Sequence, residues 1–251
     1  MANRHTGITL LLSLAAASCG AGGPDDSTLN GDEAAIGIPE DQQIRTANPY
    51  SRGYTDSDFP RIQELAVGVY SYEQLRAAGD EKFTTVSMFI VTETGVLVAD
   101  GQGSIEETQR MIDHIAAVTD KPITDVVVAS DHGDHTAGNS VFPSDARFWA
   151  HPTSASALER MAQNNAALPM ATNLVADREV LQLGNREIHI QFLGRAHTGG
   201  DLVVYLPKEK IMFMSEAYLH RVFPAMRSAF PSEWVEMIEV AQAMDVDMYV
   251  P

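Results

Sequence analysis

Residues Ser130-Asp131-His132-Gly133-Asp134-His135 follow directly on Ile123 to Ala129, a β-rich run that is apolar at every position from Val126 to Ala129. An unbroken apolar run of this length suits a strand buried on both faces, and such strands belong to sheets covered by helices. A polar loop leaving that strand can bring several side chains to one point, because the scaffold is rigid and the loop backbone is free. Two imidazoles and a carboxylate so close together form a donor set that suits Zn²⁺. A lone Asp-His pair is ordinarily a solvated polar loop, so the metal reading depends on what the rest of the chain supplies.

Downstream, Gly194-Arg195-Ala196-His197-Thr198-Gly199-Gly200-Asp201 also follows a β-rich run. It supplies a third histidine, flanked by glycines that permit close backbone approach. Met214-Ser215-Glu216 places a carboxylate at the end of another strand. Three strand-end loops each offering a ligand is the arrangement expected of a metal cleft. The surrounding pattern alternates strands and helices. Phe83 to Thr92 and Val96 to Asp100 read as a hairpin about Glu93-Thr94-Gly95. Ser104 with Glu107 is a capping box opening a helix on Ile105, Thr108, Ile112, Ile115 and Ala116. Arg147 to Ala150 is a short strand and Pro152 to Gln163 a helix, and Glu179 to Leu183 and Glu187 to Leu193 flank the two-residue turn Gly184-Asn185. Leu202 to Leu206 and Ile211 to Met214 are strands, Pro231 to Met244 is a helix, and Val246 to Val250 is a further strand. The predicted class is α/β, two mixed β-sheets with helices on the outer faces.

These residues resemble the metallo-β-lactamase superfamily, whose signature is H-x-H-x-D-H after a strand, then an isolated His, a bridging Asp and a final His. The resemblance covers residues 64–251 and includes Asp100-Gly101 at the place of the family's early aspartate. It implies an αββα sandwich with a site for one or two zinc ions at the sheet edges. Members hydrolyse β-lactams, lactones, thioesters, sulfate esters and nucleic acids, and a few do redox chemistry. Carried over, His132 takes the second His of the signature, Asp134 its Asp and His135 its last His, while His197 matches the isolated ligand of the first metal. Glu216 stands where a bridging Asp is usual, and Ser130 stands where the first His belongs. The final His has no counterpart up to Pro251, and the expectation is a chain that continues past it. With one imidazole missing from the first metal, the group of Asp134, His135 and Glu216 is expected to bind more tightly than His132 and His197, for which Ser130 or Asp131 is the substitute ligand.

The implied activity is that of a zinc-dependent hydrolase. Zinc lowers the pKa of bound water from about 15.7 to about 7, and the resulting hydroxide attacks a small neutral or acidic carbonyl substrate: an ester, lactone, thioester or amide. Asp134 is the catalytic carboxylate that orients the water or holds its proton. A β-lactamase is a narrower reading. A non-catalytic binding protein with a decayed metal site is a different one, and the survival of Asp134, His135, His197 and a carboxylate at 216 argues against it. Arg195, Arg221 and Arg227 lie beside or shortly after ligand loops, where each is either a clamp for a substrate carboxylate or a salt-bridge partner. His220 is a candidate to line the cleft. Val222, Phe223, Met226 and Phe230 form either an apolar substrate wall or core. His114 and His189 are expected to be solvated, and His151 to sit in a turn.

Composition bounds the rest. The chain has 251 residues, with 34 Asp+Glu against 17 Lys+Arg and a formal net charge of −17. A phosphate backbone needs a basic face, so nucleic acid is not an expected partner. Residues 1–30 read as an export signal and tether: Arg4 and His5, an apolar run from Ile8 to Ala17 too short to span a bilayer, then small residues before Cys19. The segment resembles a bacterial lipoprotein signal, with Cys19 as the lipidated residue; an ordinary secretory signal cut near Ala17 is the alternative. Both give an exported, periplasmic protein, which touches a membrane only through a lipid anchor. Residues 31–63 read as an irregular approach to a domain at 64–251.

Overall fold

The computed structural model describes residues 47–163 and 168–251. The expected export signal, Cys19 and the tether lie outside those residues, as does the stretch 31–46. Among the described residues no helix is long and apolar enough to cross a membrane.

Two 3-10 turns, Pro49–Arg52 and Asp56–Asp58, lead into β1 (Arg61–Ala66), β2 (Val69–Ala78), β3 (Glu81–Val91) and β4 (Val96–Ala99). These four strands pair antiparallel in sequence order. β1 thus begins inside the segment expected to be irregular. In β2, Glu73, Gln74 and Arg76 dilute the local β signal, and pairing with β3 from Val69↔Ile90 to Ala78↔Glu81 supplies what propensity lacks. The sheet continues with parallel β5 (Ile123–Val128), β6 (Arg147–Ala150) and β7 (Asn173–Leu174). A second sheet has the order β12-β11-β10-β9-β8, built from β8 (Arg178–Leu183), β9 (Arg186–Gln191), β10 (Val203–Leu206), β11 (Ile211–Phe213) and β12 (Met248–Val250). Its pairs are antiparallel except β11 with β12.

The pleat sorts side chains into three apolar layers. On β3 to β5, Met88, Ile90, Leu97, Ala99 and Val127 face the second sheet, where Ile188, Ile190, Val204, Leu206 and Phe213 meet them. Their neighbours Phe89, Val96, Val98, Val126 and Val128 face the helices α1 (Ile105–Val118) and α3 (Pro152–Ala162). β5 is therefore buried on both sides, which accounts for its unbroken apolar run. On the far side, Val203, Tyr205 and Met212 pack against Met237 and Ala241 of α4 (Pro231–Gln242). The architecture is helix, sheet, sheet, helix. Between β5 and β6 the chain makes a single helical turn, α2 (Gly133–Thr136), which carries two of the signature residues.

Two histidines differ from expectation. His189 is buried, because β9 lies inside its sheet and Arg178 of β8 and Tyr205 of β10 close over it; its Nε2 bonds Glu187 at 2.6 Å. His114 is half-buried, its ring 5.8 Å from that of Tyr72 and its Nδ1 2.7 Å from the Arg110 carbonyl. His151 caps α3, where its Nδ1 accepts from Thr153 N.

Candidate metal centre

The site lies where β4, β5, β9 and β11 end. Asp100, just past β4, is buried with a left-handed backbone (φ 62°). That conformation, which aspartate tolerates better than most residues, turns its carboxylate back into the fold. Oδ1 accepts the amides of Ala129 (2.7 Å) and Ser130 (3.3 Å), fixing the start of the signature loop. Oδ2 accepts from Ser215 Oγ at 2.5 Å and pairs with His135 Nδ1 at 3.0 Å. With Nδ1 committed to a carboxylate, His135 turns Nε2 toward the cleft, as a metal-bound imidazole requires. Burial alone would lower the pKa of His135; the bond to Asp100 and the charges of Asp100, Glu216 and Asp134 outweigh it and push it up to about 9.

Glu216 occupies the middle. His132 Nδ1 donates to its Oε2 at 2.7 Å, His197 Nε2 lies 3.2 Å from its Oε1, and Ser130 Oγ donates to Oε2 at 2.5 Å. Burial alone would raise the pKa of Glu216. Its bonds from His132 and His197 and the charge of His135 instead hold the carboxyl well below the usual carboxylate range. Beyond hydrogen-bond reach, His135 Nε2 stands 4.0 Å from Glu216 Oε2 and 3.7 Å from Asp134 Oδ2. Two groups of potential ligands result, His132–His197–Glu216 and Asp134–His135–Glu216, each with its ligand atoms within 4.8 Å of one another. Ligand atoms at about 2.1 Å from a tetrahedral zinc lie about 3.4 Å apart. Distances of 3.2 and 3.7 Å bracket that value, and imidazole with carboxylate is a zinc donor set. The residues present fit the metal.

The supporting contacts come from distant segments. Gly200 lets the His197 loop meet the start of α3, since a Cβ there would lie 2.4 Å from Ser154 Oγ. Phe230 N donates to Ala196 O at 2.9 Å, and the Trp234 ring packs 5.4 Å from that of His197, so α4 fixes the third histidine. Asp201 accepts from Thr198 N (2.7 Å) and Thr198 Oγ1 (2.5 Å), closing the same loop.

A cleft of about 860 Å³ opens over the ligand groups, a size suited to a small molecule. Asp134 lines it, with Thr85 Oγ1 3.5 Å from its Oδ2, and so does His220. Asp131 stands outside both ligand groups, its half-buried carboxyl bonded to Ser154. Ser130 supports Glu216 instead of joining either group. Arg195 is not part of the cleft: it pairs with Glu233 and stacks over Phe230 at 4.1 Å. Arg221 donates to His220 Nε2 at 2.9 Å and also falls outside the lining, whereas Arg227 is part of it.

No family model matches the chain. Among curated proteins it is 24% identical over 153 residues to a metallo-β-lactamase type 2 of Elizabethkingia meningoseptica, covering 61% of this chain and 59% of that one. It is also 24% identical over 177 residues to the 2,4-dinitroanisole O-demethylase subunit alpha of a Nocardioides species, covering 68% of this chain and 52% of that one. A metallo-β-lactamase structure from Pontibacter korlensis superposes with a TM-score of 0.65 at 18% identity, covering 72% of this chain and 84% of that one. The chain has the metallo-β-lactamase fold. It spans 52–59% of the length of these two curated relatives. As a metallo-β-lactamase-fold protein it departs from the signature at Ser130 and Glu216, and these two residues are bonded to each other. Sequence reasoning missed Arg52, which lines the cleft from the first 3-10 turn, and Ser215, which secures Asp100. Arg52 precedes every ligand by scores of residues and carries no local signal; Ser215 has only its neighbourhood to Glu216.

Proposed function

We propose that this protein is a zinc-dependent hydrolase of small carbonyl substrates. The observation that supports this best is the single carboxylate of Glu216 shared by two groups of imidazole and carboxylate ligands under a cleft. His132, His197 and Glu216 would hold an ion, and so would Asp134, His135 and Glu216. When bound, zinc supplies Lewis-acid polarisation of the carbonyl and a nucleophile active at neutral pH. The chain's own residues do the rest. Asp134, partly exposed at the cleft floor beside Thr85, orients the attacking water and takes up its proton. The same carboxyl then returns that proton to the leaving group. Asp100 keeps His135 in the tautomer with Nε2 toward the cleft. The protein is further proposed to be exported.

Metal content by plasma mass spectrometry after zinc reconstitution tests this first. We expect one or two zinc ions per chain, and hydrolysis of at least one member of an ester, lactone, thioester and β-lactam panel that chelation abolishes and zinc restores. A chain that retains no zinc is a non-catalytic scaffold. One that retains zinc yet hydrolyses no member of the panel also overturns the proposal. Turnover confined to the β-lactam arm narrows it to a β-lactamase.

A further inference from the structure

Two segments meet beside the ligand groups: the start of the loop after β5, and the turn Ser215–Ala217 after β11. Asp100 ties them together. Its Oδ1 accepts the amide of Ser130 at 3.3 Å, and its Oδ2 accepts the hydroxyl of Ser215 at 2.5 Å. Ser215 is held in the left-handed region (φ 48°), which a serine keeps only where its surroundings impose it. The turn brings the next residue, Glu216, to the end of β5, and there a second contact joins the same two segments. The Ser130 hydroxyl donates to Glu216 Oε2 at 2.5 Å and accepts the amide of His132 at 3.3 Å. Ser130 is wholly buried, so water does not compete for either bond. A hydroxyl donating to a carboxylate makes a charge-assisted bond, short and strong for its kind.

The same contact fixes how much room the two side chains have. Oγ is the first atom beyond Cβ, and Glu216 Oε2 already stands 2.5 Å from it. An imidazole at position 130, directed the same way, places a carbon where Oγ now is and its ring beyond, in the space of Oε2. Non-bonded carbon sits best about 3.5 Å or more from its neighbours, so ring and carboxylate do not fit together. An aspartate at position 216, one methylene shorter, withdraws and leaves that space open. We infer that Ser130 is a positioning residue whose hydroxyl aims the Glu216 carboxylate at both ligand groups, and that serine at 130 and glutamate at 216 are a single exchange. The short side chain makes the room that the long one fills. This rests on the zinc reading of the site and adds to it what holds the shared ligand. Position 130 contributes through Glu216 and not as a ligand of its own.

Competition titrations of zinc against a chromogenic chelator, on the full chain and its variants, test this without reading turnover. Ser130→Ala should weaken zinc about 10–100-fold, the cost of losing a partner that orients a metal ligand. Ser130→His should also weaken it, although it adds an imidazole, because the ring displaces Glu216. Ser130→His combined with Glu216→Asp should bind at least about tenfold more tightly than Ser130→His alone, a coupling between touching side chains. The visible bands of the cobalt-loaded chain report ligand arrangement and not stability, and they should shift in Ser130→Ala. Unchanged zinc affinity and cobalt bands in Ser130→Ala overturn the inference, and that variant decides alone if Ser130→His does not fold. Zinc bound more tightly by Ser130→His than by the native chain also overturns it, since position 130 is then a ligand place. So does a double variant no better than Ser130→His. A chain that binds no zinc brings down this inference and the hydrolase reading together. One that shows the coupling yet hydrolyses nothing brings down the hydrolase reading alone.

Discussion

Glu216 shows how much one residue decides here. An aspartate is one methylene shorter, and the longer arm of Glu216 brings Oε1 to His197 and Oε2 to His132, with Oε2 standing 4.0 Å from His135 Nε2. Because it belongs to both ligand groups, Glu216→Gln should weaken zinc binding at both together. Loss of an outer-shell partner of a metal ligand costs about 10–100-fold in affinity. Removal of a shared ligand should therefore exceed about 100-fold in a competition titration with a chromogenic chelator, and a loss confined to one ion would show that Glu216 does not bridge. Asp201 gives a second prediction at this scale. Burial, with the charge of Glu216 adding to it, outweighs the Thr198 bonds and raises its carboxyl to about 6. A raised acid contributes stability that is fully present below its unfolded value near 4 and is lost as pH rises through 6. In the metal-free chain this predicts a decline of about 3 kcal/mol between pH 4 and 6, which Asp201→Asn should flatten. Denaturant titrations across that window check it; an unchanged slope in the variant would refute the assignment.

At the scale of elements, the site depends on how closely α1 approaches the loop after α2. Gly138 N donates to Gln102 O at 3.0 Å, and a Cβ at position 138 would lie 2.0 Å from Thr108 Oγ1 and 2.1 Å from the Ser104 carbonyl. Those atoms form the first turn of α1, whose cap is Ser104 accepting from Glu107 N. Backbone cannot yield as a flexible side chain does. Gly138→Ala should therefore cost about 2–3 kcal/mol, read as a Tm lower by about 4–12 °C. A smaller change would mean that the loop relaxes freely. The capped helix, the β3–β4 hairpin and the Gly184-Asn185 turn were legible in the sequence because each is specified by neighbours along the chain. β1 and β2 were not, since Glu, Gln and Arg interrupt their β-forming residues on both faces, and long-range pairing decides them. His189 was misjudged for the same reason: strand alternation tells which residues share a face but not whether another layer covers it.

At the scale of the molecule, a net charge of −17 sets up self-repulsion that the few internal ion pairs do not cancel. Salt shortens the reach of that repulsion to about 10 Å at 0.1 M. Raising sodium chloride from 10 to 200 mM should therefore stabilise the chain by about 1 kcal/mol, seen as a Tm higher by about 2–4 °C. A fall would show that the surface ion pairs outweigh the net field. The sequence by itself determined the layered α/β class, the elements from β3 onward apart from α2 and β7, and the identity of His132, Asp134, His135, His197 and Glu216 as one chemical set, because periodicity and residue type are local properties. Only the tertiary structure decided that Glu216 joins two ligand groups, that Ser130 serves it, that Arg195 turns away to Glu233, and that Arg52 faces the cleft. Those facts depend on which strand ends meet at the sheet edge, a distance in space that separation along the chain does not encode.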